Sequence, residues 1–340
     1  MIKTRVLWPG VRNDRFSAAV RDGGRSGKGA VMDVFLSTLS QLGFLFLLVA
    51  VGFILGKAKI LPEGTSQALS KLENTVFIPA LVLGTFMVRF TVPEIRRAGG
   101  LLLAGIALTL VSIPVGILLA KTVTKDRYLR KIFTYGLAFS NFGFMGNAVV
   151  KALFPEVFLE YLLFTLPLWA GIYLWGVPAL LMPETERPTV KDRLKKLANP
   201  MIFAMLAGAA VGLSGLRLPA FFRSAVTVLG DTMSPVAMLL TGLSVAAIDL
   251  RKTFTDGRIY LGTFYRLILL PLAAIGLGQL IPIDRTAYIC LVCAMSMPLG
   301  LNPIVVPAAY GLDTSVATGN ALISQLISAV TIPLIFWLAV

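Results

Sequence analysis

Histidine is absent from the 340 residues, and acidic and basic residues together make up only 14% of them. Without histidine, the usual base of nucleophilic triads and the commonest metal ligand are missing. The string GLSG at Gly212 to Gly215 mimics the nucleophile motif of a membrane protease, but Ser214 has no such base to activate it, so no enzyme is expected. Only two cysteines occur, Cys290 and Cys293. Their C-x-x-C lies in an apolar stretch with no second pair, which reads as small core residues rather than a metal or redox centre. No glycine-rich phosphate-binding loop is present, so nothing points to ATP as an energy source, and no cofactor is implied. No polar segment is long enough for a separate soluble domain, the longest connection between apolar stretches running from Pro183 to Ala198.

What the chain has instead is apolar length. Hydrophobic residues make up 56% of it and its mean hydropathy is +0.82, far from ordinary soluble composition. It reads as an all-α integral membrane protein, because about 20 apolar residues cross the hydrocarbon and backbone amides in lipid must bond within their own segment. Ten spans are expected near residues 35–56, 66–89, 99–120, 131–153, 157–182, 199–216, 222–248, 259–281, 286–310 and 316–339. The net charge of +14 would suit nucleic acid, but the basic residues sit in short loops between spans, and topology accounts for them better. The loops after spans 1, 3, 5 and 7, counted with the adjoining span ends, hold 16 Lys and Arg, and those of the opposite face, counted the same way, hold 7. Basic loops stay in the cytoplasm. The expectation is therefore a multi-pass protein of the cell membrane with both termini outside and the Pro183–Ala198 loop inside. The first residues argue against this, since Lys3, Arg5, Arg12, Arg15, Arg21, Arg25 and Lys28 bring the two faces close to a tie. That stretch has no apolar core for a signal peptide and reads as a disordered leader over 1–31, with biological translation starting at Met32.

The second half of the chain repeats landmarks of the first. Gly52 and Gly208 are 156 residues apart, Asn74 and Asp231 157, Pro114 and Pro271 157, Ser140 and Ser296 156, Pro178 and Pro333 155. Five spans are an odd number, so a second copy enters the bilayer from the other face. The result is two inverted five-helix repeats, at 32–182 and 199–340, joined by a cytoplasmic linker at 183–198. The pairs Gly52/Gly56 and Gly208/Gly212 are G-x-x-x-G spacings that suit close helix packing. Spans 4 (AFSNFGFMGNAVVKALFP) and 9 (CAMSMPLGLNPIVVPAAYG) each interrupt their own helix. Gly143 and Gly146 weaken the first; Pro298 and Pro303, flanking Gly300, break the second. Gly146-Asn147 aligns with Asn302-Pro303. Unwound backbone at membrane depth survives only where it is buried or lines a cavity. The second half-helices, starting near Asn147 and Pro303, would present amide ends worth about 0.3 to 2 kcal/mol each to an anion. Ser140, Asn141, Ser296 and Asn302 would add neutral hydrogen bonds. The candidate anion site is thus Ser140, Asn141, Gly143, Gly146, Asn147, Ser296, Pro298, Gly300, Asn302 and Pro303.

These segments resemble the auxin efflux carrier family, which includes plant PIN auxin exporters and bacterial malate or malonate permeases. The resemblance rests on GFILGKAKILPEG, ENTVFIPALVLGTF, SNFGFMGN and MPLGLNPIVVPAAYGLDTSVATGNALISQLISAVTIPL, and it runs from about Asp33 to the C-terminus. It implies ten helices, with helices 4 and 9 crossing at their breaks around an organic anion. It also implies a scaffold of helices 1, 2, 6 and 7, a moving unit of helices 3–5 and 8–10, and a homodimer as one form. Where many relatives place proline after the helix 4 glycine, this chain has Asn147. Glu73, Asp231 and Arg266 fall within spans, where charge is costly, and are candidates for coupling to a proton or sodium ion. A structural ion pair between Asp231 and Arg266 competes with that role, and Lys151 is read as snorkelling to the outer interface. The leading reading is a proton-coupled secondary carrier of a small carboxylate such as malate, malonate or an auxin-like acid, working by alternating access. A sodium-coupled symporter resembling bile acid transporters is the alternative within that class, and a channel or a sensor stands outside it.

Overall fold

The computed structural model describes residues 28–183, 188–197, 200–216, 218–246, 255–281 and 283–339. Among the described residues every regular element is a helix. In chain order these are α1 (Lys28–Lys57), α2 (Thr65–Arg89), α3 (Val92–Val123), α4 (Arg127–Ala138), α5 (Phe142–Leu153), α6 (Pro155–Leu181), α7 (Val190–Leu197), α8 (Pro200–Ser214), α9 (Ala220–Ala246), α10 (Gly257–Leu280), α11 (Arg285–Ser296), α12 (Asn302–Ala309) and α13 (Ser315–Ala339). Among the described residues, six stretches are long and apolar enough to cross a membrane: Thr65–Arg89, Ala98–Val123, Pro155–Leu181, Ala220–Ala246, Gly257–Leu280 and Ser315–Ala339. Shorter apolar helices occupy Gly43–Lys57, Phe142–Leu153, Pro200–Ser214 and Arg285–Ser296. The expected leader falls largely outside the described residues, but helix α1 already begins at Lys28, four residues before Met32. The expected linker is also not all loop. Thr189 accepts from the Asp192 amide and donates to the Asp192 carboxylate, and this cap starts helix α7.

Two packed groups organise these helices. Helices α1, α2, α8 and α9 form one, with α1 lying along α9 and α8 along α2. Glycines explain the close approach. A methyl group on Gly52 would run into the Leu239 carbonyl of α9, one on Gly242 into the Val49 carbonyl of α1, and one on Gly212 into the carbonyls of Phe86 on α2 and Phe90 just past its end. In the other group α3 packs on α4 and α6, α6 on α11, and α13 on α10 and α11. The largest fully buried side chains concentrate there, including Phe133, Tyr135, Phe139, Tyr161, Phe164 and Phe336. Outward faces remain apolar: Leu103 and Leu110 on α3, Phe203 and Leu206 on α8 and Val330 on α13 are all more than half exposed. A helix that is apolar on its outside faces lipid rather than water.

Gly242→Val should force α1 and α9 apart at the Val49 carbonyl, since the neighbour is backbone and cannot turn aside. Thermal melting of the solubilised protein should show a loss of about 1 to 3 kcal/mol or more, whereas Gly43→Ala, with open space around it, should change little.

Candidate functional site

Helices α4 and α5 are the halves of the fourth apolar stretch, and α11 and α12 those of the ninth. Between them the chain is extended: Phe139 and Met297 leave their helices with β backbone. Ser140 and Leu299 face each other in an antiparallel bridge, and the Asn141 amide donates to the Pro298 carbonyl at 2.8 Å. The two interruptions therefore cross and satisfy one another. Gly300 lies beside Asn141, an added methyl group there meeting the Asn141 Cα at 3.7 Å.

The carbonyl ends of the first halves would be orphaned at this depth. Arg266 resolves both. Its guanidinium donates to the Leu137 carbonyl of α4 at 3.1 Å and to the Met295 carbonyl of α11 at 2.6 Å. Ser140 Oγ donates to the Ala294 carbonyl at 2.6 Å. A cation at two helix C-termini also opposes their negative dipole ends. Arg266 is itself 2% exposed and sits in a widened π-helical turn, Tyr265–Leu269, of α10. The expected partnership of Asp231 with Arg266 is not what the structure shows. Asp231 pairs instead with Lys151 Nζ at 2.7 Å, and Arg266 is occupied with backbone carbonyls. Lys151, expected to snorkel, thus has a specific partner.

On the amino side of each break, a cavity of about 1610 Å³ opens. Of the ten candidate residues, Ser140, Asn141, Gly143, Asn147, Gly300 and Asn302 line it. Gly146, Ser296, Pro298 and Pro303 do not. Ser296 instead bonds back to the Val292 carbonyl of its own helix at 2.6 Å, and Gly146 is packed against Tyr161 and Met297. The first-turn residues Phe142, Gly143 and Phe144 of α5, and Asn302 and Ile304 of α12, reach the same space. Tyr135, Trp169 and Tyr173 form an aromatic wall that sequence reasoning missed; Trp169 and Tyr173 have ring centroids 4.8 Å apart. Asn302 Nδ2 donates to the Tyr135 hydroxyl at 2.7 Å, which leaves the phenolic proton for another acceptor. The cations lining the cavity are Lys59 and Lys71, near the loop between α1 and α2, and the wall there continues through Glu63, Ser70, Asn74 and Thr75.

Of the three candidate coupling residues, Glu73 is the one that the structure buries without compensation. It is 0% exposed, and neither carboxylate oxygen has a hydrogen-bond partner among the described residues. It opens a π-helical turn, Glu73–Phe77, within α2, a feature frequent at functional sites. Ser214 donates to the Val211 carbonyl and accepts from the Leu216 amide, a helix-end arrangement.

Among the described residues, six apolar helices of membrane-spanning length accompany two broken apolar stretches that cross at the floor of a cavity, an arrangement that suits a membrane transport protein. Comparison with known proteins agrees: the profile of a family described as membrane transport protein matches residues 37–336. The chain belongs to this family, the auxin efflux carriers that its motifs resemble. Relatives include the uncharacterized transporter YfdV of Escherichia coli K12, 21% identical over 306 residues, covering 85% of this chain and 94% of the relative. An uncharacterized transporter of Methanothermobacter thermautotrophicus is 26% identical over 318 residues, covering 88% and 98%. Another, MJ1031 of Methanocaldococcus jannaschii, is 26% identical over 322 residues, covering 90% and 98%.

Arg266→Met should leave two buried carbonyls without donors and lower stability by about 2 to 6 kcal/mol. Asp231→Asn, whose side chain is 62% exposed, should cost about 1 kcal/mol or less. Denaturation of the two variants side by side checks whether the guanidinium answers to the helix ends or to Asp231.

Proposed function

We propose that this protein is a secondary carrier of a small organic anion that binds at the crossover and is exposed alternately to the two faces of the cell membrane. The observation that carries the reading is the chemistry of the cavity floor. Asn141, Asn147, Asn302 and Tyr135 supply neutral polar groups there, the first turns of α5 and α12 supply positive dipole ends, and among the described residues the one acid lining the cavity, Glu63, lies in the loop between α1 and α2 rather than at the floor. A carboxylate fits this surface, whereas a cation would meet helix ends of its own sign. The aromatic wall of Trp169 and Tyr173 suits the apolar body of an organic acid.

The architecture behind this reading is ten spanning helices in two inverted five-helix repeats, with both termini outside. The spacing of landmarks such as Asn74 and Asp231 supports it. So do the interruptions at equivalent places, Ser140 facing Leu299. In that topology the cavity opens to the cytoplasm, because its mouth lies by the basic loop after α1. The block of α1, α2, α8 and α9 is the scaffold, and the remaining spanning helices move against it. Coupling falls on Glu73, a buried carboxylate that exchanges a proton as its surroundings alternate between wet and dry. A structural role falls on Arg266.

Proteoliposomes should accumulate labelled malate, malonate or indole-3-acetate when a proton gradient is imposed. Uptake at the protein-free level for all such acids, under both proton and sodium gradients, ends the proposal. Asn141→Ala, Asn302→Ala and Tyr135→Phe should each weaken uptake roughly 10- to 100-fold, the value of a hydrogen bond to a charged group. Glu73→Gln should leave exchange intact while abolishing its response to the gradient. If choline in place of sodium stops uptake, sodium is the coupling ion, and unitary currents in a bilayer would make the protein a channel.

A further inference from the structure

The cavity's lining reaches the loop between α1 and α2, and on the other side of the crossover the two helix groups meet through specific contacts. Beyond the crossover, α5 runs away from the cavity and packs on α9. There Met145, Ala148 and Val149 of α5 and Met233, Ala237 and Met238 of α9 are all at most 1% exposed. Past this apolar seal, Lys151 Nζ of α5 meets Asp231 Oδ1 of α9 at 2.7 Å. One turn further along the chain, Arg89, the last residue of α2, donates to the carbonyls of Pro155 and Glu156 at the junction of α5 and α6, the latter at 2.6 Å. In each contact one partner belongs to the block of α1, α2, α8 and α9, and the other belongs to the group built around the broken helices.

We propose that Lys151–Asp231 and the Arg89 fork are the latch that holds the far face shut while the cavity is open at its mouth. This rests on the proposed movement of one helix group against the other. Three features favour a latch over a fold-stabilising bridge. The pair is partly exposed, 30% for Lys151 and 62% for Asp231, and exposed pairs add little to folding, so this one can open in every cycle. It spans two rigid groups rather than two turns of one helix. It is also absent at the equivalent positions on the mouth side. Asn74, 157 residues before Asp231, bonds to the Ser70 carbonyl of its own helix at 2.7 Å and lines the open cavity. Pro307, 156 residues after Lys151, has no charge to offer it. The closed side has the ion pair, and the open side has asparagine and proline.

The test uses the full chain, whose native cysteines, Cys290 and Cys293, are both buried. Met233→Cys places one reporter thiol in the apolar seal, and its reaction with a hydrophilic maleimide is timed in solubilised protein with no substrate present. With the latch intact, labelling should be slow. Lys151→Ala, Asp231→Asn and Arg89→Gln should each accelerate it at least fivefold while lowering the melting temperature by no more than about 4 °C. The double variant Lys151→Asp, Asp231→Lys should restore the slow rate, which a merely tolerant surface would not do. Equal labelling rates in all forms, or acceleration that the charge reversal leaves uncorrected, overturns the latch. Because labelling needs no transported anion, failure here alongside measured uptake removes the latch alone. Acceleration without uptake of any acid removes the carrier reading and keeps the latch.

Discussion

Interrupting a helix inside the bilayer orphans carbonyls on one side of the break and amides on the other, and this constraint shapes the centre of the molecule. The chain treats the two sets of groups differently. Carbonyl ends are closed by side chains, the Arg266 guanidinium on Leu137 and Met295 and Ser140 on Ala294. The crossing strands are closed against each other through Asn141 and Pro298. First-turn residues of the second halves are left facing a cavity. One arginine therefore does more than fill a hole: it fixes the relative placement of α4 and α11, and with them the position at which α5 and α12 begin.

A centre of this kind needs rigid surroundings, because a shift of one half-helix would break contacts near 3 Å. The fully buried aromatics supply that rigidity on the side of the broken helices. Tyr161 reaches the Phe142 carbonyl at 3.1 Å, and Phe154 packs edge-on to Phe336. The opposing block gains its rigidity from glycine instead. Backbone-to-backbone approach at Gly52, Gly212 and Gly242 brings α1, α2, α8 and α9 into a dense unit. The two groups meet through the buried apolar contact of α5 with α9 and the ion pair beyond it, and the cavity lies along that boundary, bordered by Asn74 and Thr75 of α2 on one side and Asn141 and Asn302 on the other.

Much of this was legible in the sequence, for identifiable reasons. Every expected apolar interval holds helix, because membrane helices announce themselves through length alone. Both breaks were visible, because proline and glycine act locally: Pro298, Gly300 and Pro303 crowd one short stretch, whereas single prolines such as Pro114 and Pro235 stay inside continuous helices. Six of the ten site candidates line the cavity for the same reason, each being next to a break. Partnerships across the fold were not legible. Asp231 and Lys151 are 80 residues apart and Tyr135 and Asn302 are 167 apart, and no periodicity relates them. Arg266 looked like a charge in need of an acid, since sequence shows side chains and hides backbone carbonyls as acceptors. The aromatic wall of Trp169 and Tyr173 was equally hidden, as an aromatic in an apolar span reads the same whether it faces lipid, core or cavity.

The division of labour between Arg266 and the helix ends also bears on how a carrier of this design would release its cargo. A free guanidinium in the floor would hold a carboxylate through a strong bidentate bond, and strong binding at one site impedes exit. Here the guanidinium spends two of its donors on Leu137 and Met295, behind the floor rather than in it. On the proposed carrier reading, the guest would meet only dipole ends and neutral groups, each worth about 1 kcal/mol. Several such groups together would select an anion, and loss of any one, were the helix groups to separate, would loosen the rest. Affinity would then be tied to the geometry of the crossover, and a site whose affinity depends on geometry is one that movement can empty.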